Sequence, residues 1–266
     1  MVTAPSLGQI TVRKCRGIEE FKACVALQKE VWNFADVDMV PLRMFVVSEK
    51  IGGQIIGAFD GNSDLVGFAL SIPGERNGRA YLHSHMLAVR ESWRNYGLGR
   101  RIKLAQRDDA IQQGIELLEW TFDPLEIKNA HLNLVKLGAI ARRYSVNHYG
   151  DSSSPLQGGL PTDRLVAEWW LKSKRVTGLL DRGQAPAIKV EEKISVPAEI
   201  YAWKATAENR SRAAEVQTRN REAFLGAFPR SLAALGYECD AHGNGAFLLG
   251  HWDESWSYGP VKEEVR

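Results

Sequence analysis

Between positions 88 and 108 the chain reads AVRESWRNYGLGRRIKLAQRD, with Gly97 and Gly99 two apart where a strand-like run gives way to a helical one. Two glycines there let successive backbone N–H groups turn toward one point. Donors in the first turn of a helix have no intrahelical acceptor. Arg94, Arg100, Arg101 and Lys103 crowd the same end, although a cation beside the positive end of a helix dipole costs roughly 0.3–1 kcal/mol. A phosphate at the turn would satisfy the amides and make the crowding favourable. Arg100, Lys103 and Arg107 fall at i, i+3 and i+7, so the spacing predicts one basic helix face reaching a polyphosphate from the side. A P-loop would need Gly-Lys-Ser/Thr, and the chain has Gly99-Arg100-Arg101. A dinucleotide fingerprint would need glycine where Ile102 stands. The competing structural reading is an ordinary glycine turn followed by a solvated basic face.

Upstream, His83 and His85 lie in the strand-like run RAYLHSHMLAV, and a period of two puts both imidazoles on one face. An unperturbed pKa near ~6.5 suits a base at neutral pH. The structural alternative is a satisfied polar pair in a sheet. The same pair fits zinc, but no third ligand is evident nearby, so no metal is expected. Glu119, on the next strand, is a second base candidate and acceptor-site residue, though a charged strand residue is expected to face solvent.

These groups need a frame. QITVRKC (9–15) alternates like a strand, and Ile18, Phe21, Val25, Gln28 and Trp32 recur at helical spacing. The loop NFADVDMVP leads to a second helical stretch near 42–50. QIIGAFD, LVGFALSI and RAYLHSHMLAV, parted by GNSD and PGERNG, predict an antiparallel meander. A helix to about Gly114 and the strand IELLEWTF (115–122) complete a βαβ unit, so the strands at 79–90 and 115–122 are expected to be parallel neighbours. A long helix is expected over 126–148, a loop over 151–163 and a strand over RLVAEWWLKS. After a linker at 174–187, the pattern predicts strand (IKVEEKISV), helix (about 205–235) and a hairpin about DAHGNG. The expected fold class is α/β (α+β), divided as 1–173, 174–187, an α/β extension at 188–252 and a tail at 253–266 that is frayed or docked by Trp252, Trp256 or Tyr258.

Thirty-four Lys and Arg against 32 Asp and Glu leave a net charge of +2, which argues against a dedicated nucleic-acid or membrane-surface binder. Arg210, Arg212, Arg219 and Arg221 interleave with Glu208, Glu215 and Glu222, so they predict a salt-bridged helix face. Cys15, Cys24 and Cys239 are odd in number and widely spaced, which fits a reducing cytoplasm. No leader-like or membrane-spanning run stands out, so a cytoplasmic protein without a membrane partner is expected.

Taken together, Leu87-Ala88-Val89 followed by Arg94-Asn95-Tyr96-Gly97-Leu98-Gly99 resembles the [QR]-x-x-G-x-[GA] signature of the GNAT superfamily of acyl-CoA-dependent N-acyltransferases. The element order over about 9–172 matches that fold: a mixed, mostly antiparallel sheet with a splayed central parallel pair flanked by helices. The chain also resembles a bacterial and archaeal branch with a C-terminal extension. The resemblance implies acetyl-CoA or another acyl-CoA as cofactor, with the amides from Arg94 to Arg100 on its pyrophosphate. Leu87, Ala88 and Val89 would pair with pantetheine like an added strand. The register of His83 and His85 is similar to arylalkylamine N-acetyltransferases, where such a pair relays the amine's proton through water. The family's usual tyrosine acid is absent, because Leu134 stands in its place. Tyr144 on the continuing helix is the substitute, and Asn129 and Asn133, sharing a face, would bond the pantetheine amides. Asp36 and Asp38 lie in the loop that contacts acceptors in this family and would attract an ammonium. The implied function is transfer of an acetyl group directly to a primary amine, of a small molecule or a peptide; a homodimer is compatible with it. The alternatives are a non-catalytic acyl-CoA-binding module and a nucleotide-phosphate binder using the same turn.

Overall fold

The computed structural model describes residues 7–150, 157–184 and 187–252. The tail expected at 253–266, with Trp256 and Tyr258, lies outside them, as do 151–156 of the expected loop and 185–186 of the expected linker.

The chain runs through β1 (Thr11–Lys14), α1 (Gly17–Trp32), α2 (Leu42–Lys50), β2 (Gln54–Phe59), β3 (Leu65–Arg76), β4 (Arg79–Val89), α3 (Leu98–Gln112) and β5 (Leu117–Phe122). There follow α4 (Ile127–His131), β6 (Ile140–Ser145), β7 (Arg164–Trp170), α5 (Lys174–Arg182), β8 (Glu192–Val196), α6 (Ile200–Ala205), α7 (Arg210–Ala227), β9 (Leu232–Cys239) and β10 (Gly245–His251). The strands form one sheet in the order β1-β2-β3-β4-β5-β7-β6-β9-β10-β8. The expected meander is present: β2, β3 and β4 pair antiparallel in succession. Asn77 and Gly78, at φ 53° and 73°, turn β3 into β4, the positive-φ pair that a tight hairpin needs.

α1 buries Phe21, Cys24, Leu27 and Gln28. Gln28 is tolerated inside because its amide bonds both the N–H and the C=O of Val40. Ile18, expected on the buried stripe, is exposed. α1 and α2 cover one face of β2–β4 through Phe45, Phe68, Met86 and Ala88. α3 covers the other through Leu98 and Ile102, against Leu87 and Val89.

Two expected helices are shorter than the pattern suggests. The segment 126–148 is α4, a single wide turn over Leu132–Lys136, and then β6. The Leu137 N–H closes that wide turn on Leu132 O, and Gly138, at φ 76°, carries the chain out of the helix. Residues 140–145 then pair with β7, burying Ile140 and Ala141 in a way that outweighs local helix preference. The helix expected over 205–235 stops at Ala227, because Phe228–Arg230 form a tight turn containing Pro229 and Ser231 follows at φ 60°. Arg219 and Arg221 bond Ser195 O and Asp163 rather than the interleaved glutamates.

β9 joins β6 at Ala141 and Ala234, so the strands of 188–252 continue the same sheet. One apolar core runs from Leu118 and Trp169 to Phe224 and Phe247. Within the expected linker, 174–182 is α5, capped by the Ser173 hydroxyl on the Val176 N–H. α5 sends the buried Arg175 to the carbonyls of Gly138, Leu134 and Leu235.

Candidate active site: the glycine turn and the splayed strands

α3 starts at Leu98 with Gly97 as its N-cap, and no side chain caps it. The first-turn amides of Leu98, Gly99 and Arg100 therefore lack an intrahelical acceptor. Asn95 at φ 66° and Gly97 at φ 80° bend the approach, and open space surrounds the position a Cβ on Gly97 would take. Arg94 departs from expectation: its N–H donates to Glu91 O, and its Nε donates to Val89 O. It braces the turn, and the free amides lie further on. Tyr96 is exposed, whereas Leu98 is buried against the sheet.

The expected basic face does not form. Arg107 is paired with Asp181 at 3.1 Å, Arg101 bonds Ile10 O, and Lys103 turns inward. Arg100 remains beside the turn, with its Nε 3.4 Å from Lys136 O, and so brings the wide turn after α4 next to the α3 N-terminus. In that wide turn Asn133 is buried, and its Nδ2 meets no acceptor among the described residues. Asn129 is exposed, so the two asparagines do not share a face as i, i+4 spacing predicts. The wide turn is the reason, since it adds residues per turn and rotates Asn133 inward.

β4 and β5 are parallel, as expected, over two register pairs, Leu82 with Leu118 and His83 with Glu119. Beyond them the strands part, while the opposite edge of β4 stays paired to β3 through Leu87, Ala88 and Val89. The register there skips His85, because Ser71 pairs with Ser84 and Leu70 with Met86. This bulge reverses the alternation: Ser84 lies on the α3 side but Met86 on the α1/α2 side. His83 and His85 stay neighbours, with ring centroids 6.3 Å apart.

Burial pushes the His83 pKa down to about 4 against the opposing pull of Glu119, and burial lowers His85 as well. Both rings are thus neutral at pH 7, with lone pairs available. Glu119 is buried rather than solvent-facing, a correction to expectation. Arg76 and Arg143 both donate to it, and Arg143 with Arg142 also holds Glu168. Fastened by two guanidiniums, Glu119 is an electrostatic partner for His83, 4.0 Å away, rather than a free base. At the end of β5, Thr121 Oγ1 is 2.7 Å from the hydroxyl of Tyr149, a half-exposed ring stacked edge-on to His148.

Tyr144 lies on β6, not on a helix, and its hydroxyl donates to Asp163, which Arg221 and the Asn147 N–H also hold. Its ring stacks on Phe224 of α7, on the sheet face opposite Arg143 and Glu119. The acid role expected for Tyr144 is corrected on that ground. Asp36 and Asp38 sit on an exposed turn, with Asp36 3.2 Å from Lys29.

The positions of Lys103 and Tyr149 are not those that sequence spacing suggests. Spacing puts Lys103 on an outward basic face reaching a polyphosphate, yet α3 buries it with Ile102 and Gln106. Its Nζ donates to Ser84 Oγ at 2.7 Å and lies 3.8 Å from the Trp120 ring centre. Among the described residues no group of three or more His, Cys, Asp or Glu is placed to hold a metal, and no helix is long and apolar enough to cross a membrane.

No protein-family model and no curated protein matches the chain in sequence. Solved structures do match in fold. A candidate acetyltransferase, yncA of Salmonella typhimurium, solved with its cofactor acetyl-CoA, superposes on 62% of this chain and 95% of its own, at 14% identity and TM-score 0.51. An N-acetyltransferase from Staphylococcus aureus Mu50 superposes on 61% of this chain and 99% of its own, at 15% identity and TM-score 0.50. At such identities the likeness is one of fold. With its glycine turn, the parallel pairing of β4 and β5 and the parting of those strands beyond it, the chain has the fold of the GNAT acyl-CoA N-acyltransferases.

Proposed function

We propose that the protein is an acetyl-CoA-dependent N-acetyltransferase that transfers the acetyl group directly to a primary amine. The observation that carries this reading is the continuity from the uncapped amides of Leu98, Gly99 and Arg100, along the edge of β4 that β5 leaves open, to His83 and His85. The same arrangement fits the cofactor: the turn supplies anion-binding amides, the open edge of Leu87 to Val89 supplies strand-like donors and acceptors, and the buried Nδ2 of Asn133 is a donor with no acceptor among the described residues. Bound there, acetyl-CoA would supply the activated acyl group.

The chain's own part is to position and to move protons. An alkylammonium has no lone pair, so a base must take its proton before attack. His83 and His85 are neutral at pH 7 and share one face, and with pKa values lowered by burial they suit a relay through water better than a single strong abstraction. Tyr149 and Thr121 share a hydrogen bond at the end of β5, and His148, edge-on to Tyr149, lies near enough to His83 to act on its charge.

The test is thiol release from acetyl-CoA in the presence of phenethylamine, spermidine or a peptide with a free N-terminus. Amine-dependent release is expected from the wild type, with a loss of about 100-fold or more in a His83→Ala, His85→Ala double variant. Binding of acetyl-CoA with no release from any amine would leave a binding module instead, the reading that Leu134 in the apolar core favours.

A further inference from the structure

We infer that Lys103 is the proton donor to the thiolate that departs when the acyl group is transferred. This rests on the acyltransferase reading above. Ser84 of β4 and Trp120 of β5 are the residues just past the last parallel rung, and the Lys103 Nζ touches both of them. The amine therefore bridges the two strands at the vertex of their splay.

It does so on the α3 face. The same helix carries the uncapped amides at its N-terminus, so a chain running from a diphosphate there into the splay reaches Lys103 on that face. His83 follows the strand alternation to the opposite face, beside Glu119 and Arg143. Proton acceptor and proton donor thus flank the vertex from two sides, as needed for an amine entering from one face and a thiol leaving by the other.

The surroundings orient Nζ as a donor. Ser84 Oγ accepts from Lys103 and donates to Gln106 Oε1; Gln106 Nε2 donates to Ser71 Oγ, and Ser71 Oγ to Gln54 Oε1. Gln54 Nε2 donates to Asp109, which Lys14 pairs at the surface. Every bond in this buried file points the same way, from Lys103 toward the Asp109 carboxylate, and such a file polarises its members. Ser84 and the Trp120 ring use only part of the ammonium's donor capacity, so a donor remains for a ligand. Among the described residues no carboxylate pairs with Lys103. Its charge helps to lower the His83 pKa, behind the larger effect of burial.

The C–N bond forms and the C–S bond breaks; sulfur leaves with the bonding pair and takes a proton from Nζ, giving a thiol and a neutral lysine. The acceptor's surplus protons pass to water on the His83 and His85 face, and solvent reprotonates Lys103 after product release. In sum, an acyl thioester and an alkylammonium give an amide, a thiol and one proton. Burial pushes the Lys103 pKa down to about 7, below that of an ordinary thiol near ~8.5, so the transfer runs downhill.

The experiment uses intact protein labelled at lysine Cε, with the Lys103 resonance assigned by its loss in Lys103→Met. CoA is expected to move the titration midpoint of Lys103, whereas desulfo-CoA, which lacks the sulfur, leaves it where the free protein has it. In steady-state assays with the most active amine of the panel, Lys103→Met and Lys103→Gln are expected to lower kcat about 100-fold or more, with KM for acetyl-CoA within about threefold. Identical midpoints with CoA and desulfo-CoA, or a variant kcat within about threefold of wild type, would overturn the assignment while leaving the acyltransferase reading standing. If neither compound perturbs the protein, that reading falls and the assignment with it. The resonance can be assigned from either Lys103→Met or Lys103→Gln, so one poorly folding variant does not blunt the measurement.

Discussion

His83 Nδ1 stands 4.0 Å from Glu119 Oε1 across the last parallel rung between β4 and β5. The ring is pulled in opposite directions, since burial disfavours the imidazolium and the carboxylate favours it, and burial wins. With its folded pKa near 4 against an ordinary 6.5, His83 binds fewer protons in the folded state than in the unfolded one. Its contribution to stability is therefore complete above about pH 6.5 and is lost as pH falls toward 4. A ring titration by NMR is expected to find His83 neutral throughout pH 5–8, and Glu119→Gln is expected to lower its midpoint further by removing the carboxylate.

Lys103 acts with the same sign in a higher pH window. Its folded pKa of about 7 lies below the ordinary 10.5, so between these values the unfolded chain binds more protons and stability rises with pH, by at most about 1.4 kcal/mol per pH unit. Lys103→Met is expected to melt higher than wild type near pH 6, with the difference shrinking by pH 9. A constant difference would mean that the amine is ordinarily charged and solvated.

Tyr144→Phe removes one bond to the buried Asp163, which keeps Arg221 and the Asn147 N–H. A loss of about 1 kcal/mol in denaturant unfolding is expected, with turnover unchanged. Turnover slowed about 100-fold, the scale of a lost general acid, would restore Tyr144 to the chemistry.

Asn133→Leu removes a buried Nδ2 that has no acceptor among the described residues. Fold stability is expected to be unchanged or higher, whereas the Kd for acetyl-CoA measured by calorimetry is expected to rise about tenfold, the worth of one hydrogen bond. Equal affinity would place Asn133 outside the cofactor site.

Much of the fold is legible in the sequence because its early elements obey local rules. The meander shows period-two runs closed by turn residues, and Gly97 occupies a left-handed position at a helix start. Ile140–Ser145 is not legible: Ala141, Arg142 and Arg143 suit a helix, and only the partners on β7 and the carboxylates of Glu119 and Glu168 make the segment a strand. Leu232–Cys239 is hidden for the same reason, its Leu and Ala residues being strand-forming only inside the sheet. Within the site, the His pair can be seen from spacing. Lys103 cannot, because charge counts place a lysine outside, and its inward turn depends on Ser84 and Trp120 from two other strands. The bulge at His85 is invisible too, since it is a property of register against β3.

Thermal unfolding with acetyl-CoA reads whether the amides of the 97–100 turn hold a diphosphate. At about 100 times its Kd, the ligand is expected to stabilise the wild type by about 2.7 kcal/mol, and Gly97→Glu, which puts a carboxylate beside the amides, is expected to abolish the shift. A wild type that melts at the same temperature with and without acetyl-CoA, or a Gly97→Glu protein that responds as fully as the wild type, would contradict the claim.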